Sequence, residues 1–341
     1  VPDSDPAEPL RWTRLGRAVF SPVAGVLYLA LLAAAVVVMV RVPDVLPRYG
    51  NVLFTHYTSV VLLTVFVGQL PLVLLHESAH VLAGRRLGVP SRLSIGRRLY
   101  YVVIETTMNG LAGVPRRKRY LPMLAGMLTD VGVFAALTLI AAATHRADGG
   151  FPLTGQVILA LAYATLLRLL WQSYFFLQTD AYYLIVTVLG CVDLQTTAKQ
   201  RIANRWSTLR RRPGRYDPED WHPRDRAVSR WYSVLLIFGY AYCLATLAVS
   251  VVPLAAHVFG RALARLVGDG GQGVAGLADS LLFLVLALGE PATVAVMALR
   301  ERRAAVRTAA ATARTGTAAP AARTASAPAS ASAETPETTS A

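Results

Sequence analysis

The chain is short of charge. Of its 341 residues only 16% are Asp, Glu, Lys or Arg, against about 25% in a typical soluble protein. Most of the chain therefore cannot face water, which excludes the two soluble domains that the length alone would allow. A hydrophobic content of 54% also excludes a disordered protein. Two cysteines are too few for a disulfide scaffold, and both Cys191 and Cys243 lie in apolar runs, so a structural bridge between them is a weak reading. Lysine is nearly absent, occurring only as Lys118 and Lys199. The net charge of +14 is therefore an arginine charge. Such an excess could suggest nucleic acid. Here, though, the cations lie between apolar runs, which is how a membrane protein shows its cytoplasmic side.

Apolar sequence is plentiful, with a mean hydropathy of +0.45. Six runs stand out, at 18–40, 54–84, 120–144, 153–177, 231–256 and 277–299. Each is long enough for the roughly 20 residues of a helical span. The first is too long for a signal-peptide core and lacks a small-residue cleavage pattern, so it is expected to stay as a helix. The predicted class is an all-α polytopic membrane protein with about six transmembrane helices. The membrane domain covers 1–303, with its core at 55–200. The alternating stretch Leu99 to Thr107 predicts a small strand or hairpin near 91–109. Residues 205–226, with Pro213, Pro218 and Pro223, read as a polar cytoplasmic loop, and 304–341, rich in Ala, Thr, Ser and Pro, as a disordered tail.

The loops set an orientation. Arg85, Arg86, Arg92, Arg97, Arg98 and the cluster Arg116 to Arg119 follow the second run, and Lys199, Arg201, Arg205 and Arg210 to Arg212 follow the fourth. The opposite side carries only Arg41, Arg48, Arg146, Arg261 and Arg265. The positive-inside rule puts both termini in the cytoplasm of a multi-pass cell-membrane protein. Six spans, an even number, agree. Ala/Arg-rich usage and the lack of eukaryotic-type signals point to a bacterial host. The basic residues at 199–212 form a strip that attracts anionic lipid head groups. Nucleic acid is not an expected partner, since no aromatic-interleaved module accompanies that strip.

The second run ends in His76-Glu77-Ser78-Ala79-His80, an H-E-x-x-H pattern. On a helix, positions i and i+4 share a face, so both imidazoles can reach one metal ion. Glu77 can take a proton from a metal-activated water and return it to a leaving amine. A chance match is expected roughly once in several hundred sequences of this composition. The bland alternative is two interfacial histidines beside a helix end. Ionisable groups inside a span are functional by default, however. The other histidines form no second cluster: His56 lies about 30 Å from His76 along a straight helix, and His145, His222 and His257 fall in loops or on the far side. A di-iron site needing several histidine boxes is thereby disfavoured.

A catalytic zinc needs a third protein ligand and one open position. The fourth run returns to the side of the membrane that holds His76 and His80, ending at Gln178-Thr179-Asp180-Ala181-Tyr182-Tyr183. The apolar stretch 157–190 is too long for one level span, so a break near Asp180 would bring its carboxylate to the depth of the histidines. The competing reading makes Asp180 a helix cap, which does not exclude metal binding. Asp130 in the third span and Arg168 in the fourth fall at similar mid-depth and are expected to pair. The pair is read either as architecture or as substrate positioning.

These motifs resemble the site-2 protease family of intramembrane zinc metallopeptidases. His76-Glu77-x-x-His80 matches that family's first motif. Asp180 in T-D-A-Y-Y-L resembles its Asp-Gly motif, which supplies the third ligand. Ala125-Gly126-x-x-x-Asp130 resembles its Ala-Gly-Pro-x-x-Asn stretch. The Asp-x-Tyr-Tyr form is most similar to the peptide zinc metalloprotease branch. The likeness covers about 55–200. It implies one Zn2+ per chain held by His76, His80 and Asp180, with Glu77 as catalytic base and a membrane-associated peptide or protein as substrate. It also implies that the alternating segment, with Glu105 and Asn109, can serve as an edge for an extended substrate; an ordinary amphipathic connection reads equally well. Ala181 stands where the family has Gly, Met127 where it has Pro, and Asp130 where it has Asn. The short loop 145–153 leaves no room for a peptide-binding PDZ module between the third and fourth spans. The leading expectation is an intramembrane zinc metalloendopeptidase acting on the cytoplasmic side. The alternative, motivated by Ala181 and Met127, is a weak or inactive relative serving as a membrane-embedded binding or regulatory subunit. A transporter, a third class, would show an internal repeat, and none is found. Glu290 before Pro291 marks a helix kink with no assigned function.

Overall fold

The computed structural model describes residues 11–98, 101–108, 110–146, 148–268 and 273–316. The chain is 79% helical, with one two-stranded sheet among the described residues, consistent with an all-α polytopic protein. It divides into two compact units, Val1–Pro291 and Ala292–Ala341.

In the first unit a short helix, α1 (Thr13–Val19), precedes α2 (Pro22–Arg41). Ser21 caps α2 by accepting from the Ala24 N–H at 3.2 Å, and Pro22 takes the first helical position, where its missing N–H is no loss. Val23, Val26, Leu27, Leu29 and Val40 of α2 are each more than 60% exposed. An apolar surface of that extent suits a membrane rather than water. Next come α3 (Thr58–Arg86), α4 (Arg116–Ala143) and α5 (Leu153–Trp171), which pack on one another. Their contact faces are built of small residues: Ala125, Ala135, Ala141, Ala160 and Ala162 are all nearly inaccessible. Lipid tails remove the hydrophobic drive between helices, so close backbone approach through small side chains is what holds such a bundle.

Between α3 and α4 lies an antiparallel hairpin, β1 (Ser91–Arg98) and β2 (Tyr101–Met108), in register from Ser91↔Met108 to Arg98↔Tyr101. It matches the segment expected near 91–109. Gly88, at φ +79°, turns the chain out of α3 into β1. Asn109 and the side chains of Glu105 and Glu290 lie outside the described residues.

After α5 the chain breaks, as the length of that apolar stretch predicts. A one-turn segment (Phe175–Leu177) and Gln178, at φ +59°, lead to α6 (Asp180–Leu189). Helix α7 (Leu194–Leu209) then turns by 86° from α6. Helix α8 (Pro223–Thr246) passes through a π-helical segment, Leu247–Val251, into α9 (Val252–Val267). Phe176, Tyr182, Leu194, Ala198, Tyr232 and Leu236 form the core joining α6, α7 and α8. Gln195 is its polar pin: its N–H donates to Tyr182 Oη at 3.0 Å, its Oε1 accepts from Tyr232 Oη at 2.6 Å, and its Nε2 donates to Phe176 O at 3.2 Å.

Among the described residues five helices are long and apolar enough to cross a membrane: α2, α3, α4, α5 and the continuous Pro223–Val267. The bent pair α6–α7 raises the number to six if it counts as one span. The run at 277–299 lies within α10 (Val274–Gly316), of which Val274–Gly289 is an apolar stretch. Helix α10 also continues through 304–316, where a disordered tail was expected, because Ala and Arg are strong helix formers whatever their burial. Residues 317–341 lie outside the described residues. The polar loop after α7 starts at 210 rather than 205. It is pinned by Asn204, whose Oδ1 accepts from the Arg215 and Tyr216 N–H groups at 2.8 and 3.1 Å.

Candidate metal centre

His76 and His80 occupy successive turns near the C-terminal end of α3, one face of which is turned toward α4. Both are buried, at 5% and 4% exposure. Asp180, the first residue of α6, approaches from the other side. His76 Nε2 and His80 Nε2 lie 3.1 and 3.3 Å from Asp180 Oδ2, and 3.3 Å from each other. Among the described residues this is the group able to hold a metal ion. The chain break after α5 makes the meeting possible, since it starts a new helix at Asp180 at the depth of the histidines.

The outer ring nitrogens decide what the inner atoms can do. His80 Nδ1 lies 2.7 Å from the carbonyl of Pro122, which can only accept, so Nδ1 carries the proton. His76 Nδ1 faces the carboxylate of Asp130 at 3.0 Å and donates to it. When both rings are neutral their Nε2 atoms are lone pairs, and the third neighbour is a carboxylate oxygen. Three acceptors converge on one point. A tetrahedral ion with bonds of about 2.0–2.1 Å has ligand-to-ligand edges of about 3.3–3.4 Å, so the set fits a small divalent cation. Gly126 of α4 completes the cradle: a Cβ there would overlap both His76 Nε2 and His80 Nε2. Only a glycine lets α4 come this close.

Asp130 is wholly buried. Arg168 holds it with two hydrogen bonds, Nε to Oδ2 at 2.9 Å and Nη2 to Oδ1 at 2.6 Å, which is the pairing predicted from their depth. Asp130 therefore faces the outer nitrogen of His76, away from the point where the His76, His80 and Asp180 atoms meet. Arg168 reaches on to Gln69 Oε1 at 2.7 Å, and Gln69 Nε2 donates to Leu161 O at 3.0 Å. On the other flank Gln172 grips Asp180. Its Nε2 donates to Asp180 Oδ2 at 3.2 Å, and its Oε1 accepts from the Asp180 N–H at 3.1 Å. Such outer contacts fix tautomer and ligand orientation.

Glu77 stands beside the cluster. The Thr106 hydroxyl of β2 lies 2.7 Å from Glu77 Oε2 and 3.0 Å from its carbonyl, tying the hairpin to α3. His76, Glu77, His80, Thr106, Gln172 and Asp180 border a cavity of about 490 Å³, with apolar walls from Val73, Ile104, Met108, Leu111 and Met123. No family model, no curated protein and no solved structure matches the chain. The donor geometry and the motif spacing thus carry the argument by themselves.

Sequence reasoning passed over Gln69, Gln172 and Thr106. Gln69 did leave a signal, since it sits seven residues before His76 and so on the same helix face. Gln172 left a weaker one, as an amide at the end of an apolar run. Thr106 left none, because nothing in an isolated strand pattern shows which helix it crosses.

Proposed function

We propose that the protein is a membrane-embedded zinc endopeptidase, similar to site-2 proteases, which hydrolyses a peptide bond within or beside the membrane. The observation that supports it is the convergence of the His76, His80 and Asp180 lone pairs on one point, with the Glu77 carboxylate alongside and a cavity in front. Two imidazoles and one carboxylate are a donor set that suits zinc and leaves one position open. When bound there, zinc supplies a Lewis acid that acidifies water and polarises the scissile carbonyl.

The chain's own residues account for the remaining steps. Glu77 takes a proton from the attacking water as the new C–O bond forms, and delivers it to the departing nitrogen as the C–N bond breaks. Thr106 holds one oxygen of that carboxylate, leaving the other free to face the water. Asp130 and Pro122 keep the outer histidine nitrogens protonated. Strand β2 turns Ile104, Thr106 and Met108 toward the cavity, and among the described residues one of its edges has no strand partner. An extended substrate laid along that edge would gain main-chain hydrogen bonds. The half-open cavity admits the water that hydrolysis consumes.

The arginine distribution favours cytoplasmic termini, with the active side near the basic ends of α3 and α4. The second reading, an inactive binding or regulatory relative, draws on Ala181 beside the third ligand. The deciding experiment incubates the detergent-purified, zinc-loaded chain with a library of membrane-spanning peptides and maps products by mass spectrometry. Cleavage in the wild type that is lost with a chelator and in Glu77→Gln supports the proposal. Cleavage retained in Glu77→Gln contradicts the assigned base. Bound metal with no turnover on any peptide selects the second reading.

A further inference from the structure

Four arginines gather where α7 packs on α8. Arg201 and Arg205 lie one turn apart on α7, and Arg226 and Arg230 one turn apart on α8. Arg201 is held rigidly. Its Nε donates to Ser229 Oγ at 2.9 Å, its Nη2 donates to the Arg226 carbonyl at 2.8 Å, and its guanidinium lies 5.0 Å over the Trp221 ring. Ser229 is fully buried and Trp221 nearly so, so this is a built contact rather than a loose surface chain. Arg205, Arg230 and Arg226 are all close enough to act on Arg201 electrostatically.

Among the described residues none of the four forms an ion pair. The acid closest in sequence, Asp225, is 1% exposed and accepts from the Val192 and Asp193 N–H groups at 2.8–3.3 Å. Neutral hydrogen bonds hold Arg201 in place, and an outside anion would relieve the repulsion. Guanidinium groups match phosphate oxygens in geometry as well as charge.

The depth of the cluster identifies the anion's source. Arg226 and Arg230 occupy the first two turns of α8, which continues into an apolar helix long enough to cross a membrane. Trp231 and Trp206 flank the cluster at 49% and 55% exposure, as aromatic residues at a headgroup boundary do. The sequence pattern alone gave a diffuse basic strip at 199–212. The structure replaces it with a focus that draws half its charge from α8. We infer that Arg201, Arg205, Arg226 and Arg230 form a binding site for the phosphate of an anionic membrane lipid. This inference is independent of the metal centre.

Native mass spectrometry of the full chain in detergent tests it, with phosphatidylglycerol or phosphatidylcholine added. The wild type should retain one phosphatidylglycerol per chain, in at least tenfold preference to phosphatidylcholine. Arg226→Gln/Arg230→Gln should lose that adduct at least tenfold, and Arg205→Gln, an exposed single change, should weaken it by several fold. Arg14→Gln/Arg17→Gln, an equal loss of charge elsewhere in the chain, should keep it. Equal losses in the two double variants would reduce the cluster to diffuse attraction and overturn the site. Displacement of the lipid by millimolar inorganic phosphate would assign the site to a soluble anion and overturn the lipid source. Thermal unfolding of each variant separates lost binding from lost folding, and the Arg205→Gln result stands if a double variant fails to fold.

Discussion

Asp130→Asn is the most informative single change. It preserves shape and leaves an acceptor for His76 Nδ1–H, but removes the negative charge that Arg168 holds at 2.6 and 2.9 Å. Two losses follow. Arg168, with a side chain only 18% exposed, keeps a neutral partner in place of a carboxylate. Breaking one side of a buried ion pair typically costs about 3–5 kcal/mol, a large part of a total stability of about 5–15 kcal/mol. The other loss is at the metal. Removing an outer carboxylate from a ligating histidine lowers metal affinity by about 10–100-fold, or about 1.4–2.7 kcal/mol. The assay is metal titration against a chromophoric chelator in detergent, paired with thermal unfolding of the metal-free chain, for Asp130→Asn, Arg168→Gln and the double variant. The double variant removes the uncompensated charge, so it should recover at least about 1 kcal/mol of stability relative to Asp130→Asn. Its metal affinity should stay as low as that of Asp130→Asn. Unchanged affinity in Asp130→Asn would refute the claim that Asp130 orients His76. Strict additivity in the cycle would refute the ion pair.

Other perturbations follow from the same geometry. Gly126→Ala should abolish metal binding while the chain stays helical by circular dichroism, because the added methyl overlaps both ligand nitrogens. Gln172→Ala should lower metal affinity by about tenfold in the same titration, since it frees the Asp180 carboxylate; unchanged affinity would make the Gln172 contacts incidental. Thr106→Val should leave metal content unchanged and lower kcat on a cleaved peptide, with KM little altered, because Thr106 touches the base and no ligand.

Much of this was legible in the residues, for physical reasons that differ from element to element. The H-E-x-x-H spacing needs only helical periodicity to bring His76 and His80 together, and the run containing it is too apolar to be anything but helix. Asp180 and the Asp130–Arg168 pair followed from depth, because antiparallel spans tie sequence position to height in the membrane. Height says nothing about rotation around a helix axis. The bond from Asp130 to His76, the grip of Gln172 on Asp180 and the reach of Thr106 to Glu77 all depend on rotation and on the tilt of the hairpin. The tail at 304–316 misled because low hydrophobicity removes a reason to pack but leaves intrinsic helix propensity intact.

The central claim is that His76, His80 and Asp180 hold one metal ion, and metal content tests it most directly. Detergent-purified wild type, His80→Ala and Asp180→Ala would be compared by elemental analysis after dialysis against buffered zinc. The account predicts close to one zinc per chain in the wild type and almost none in either variant. A wild type without zinc after reconstitution, or Asp180→Ala binding it as tightly as wild type, would contradict it.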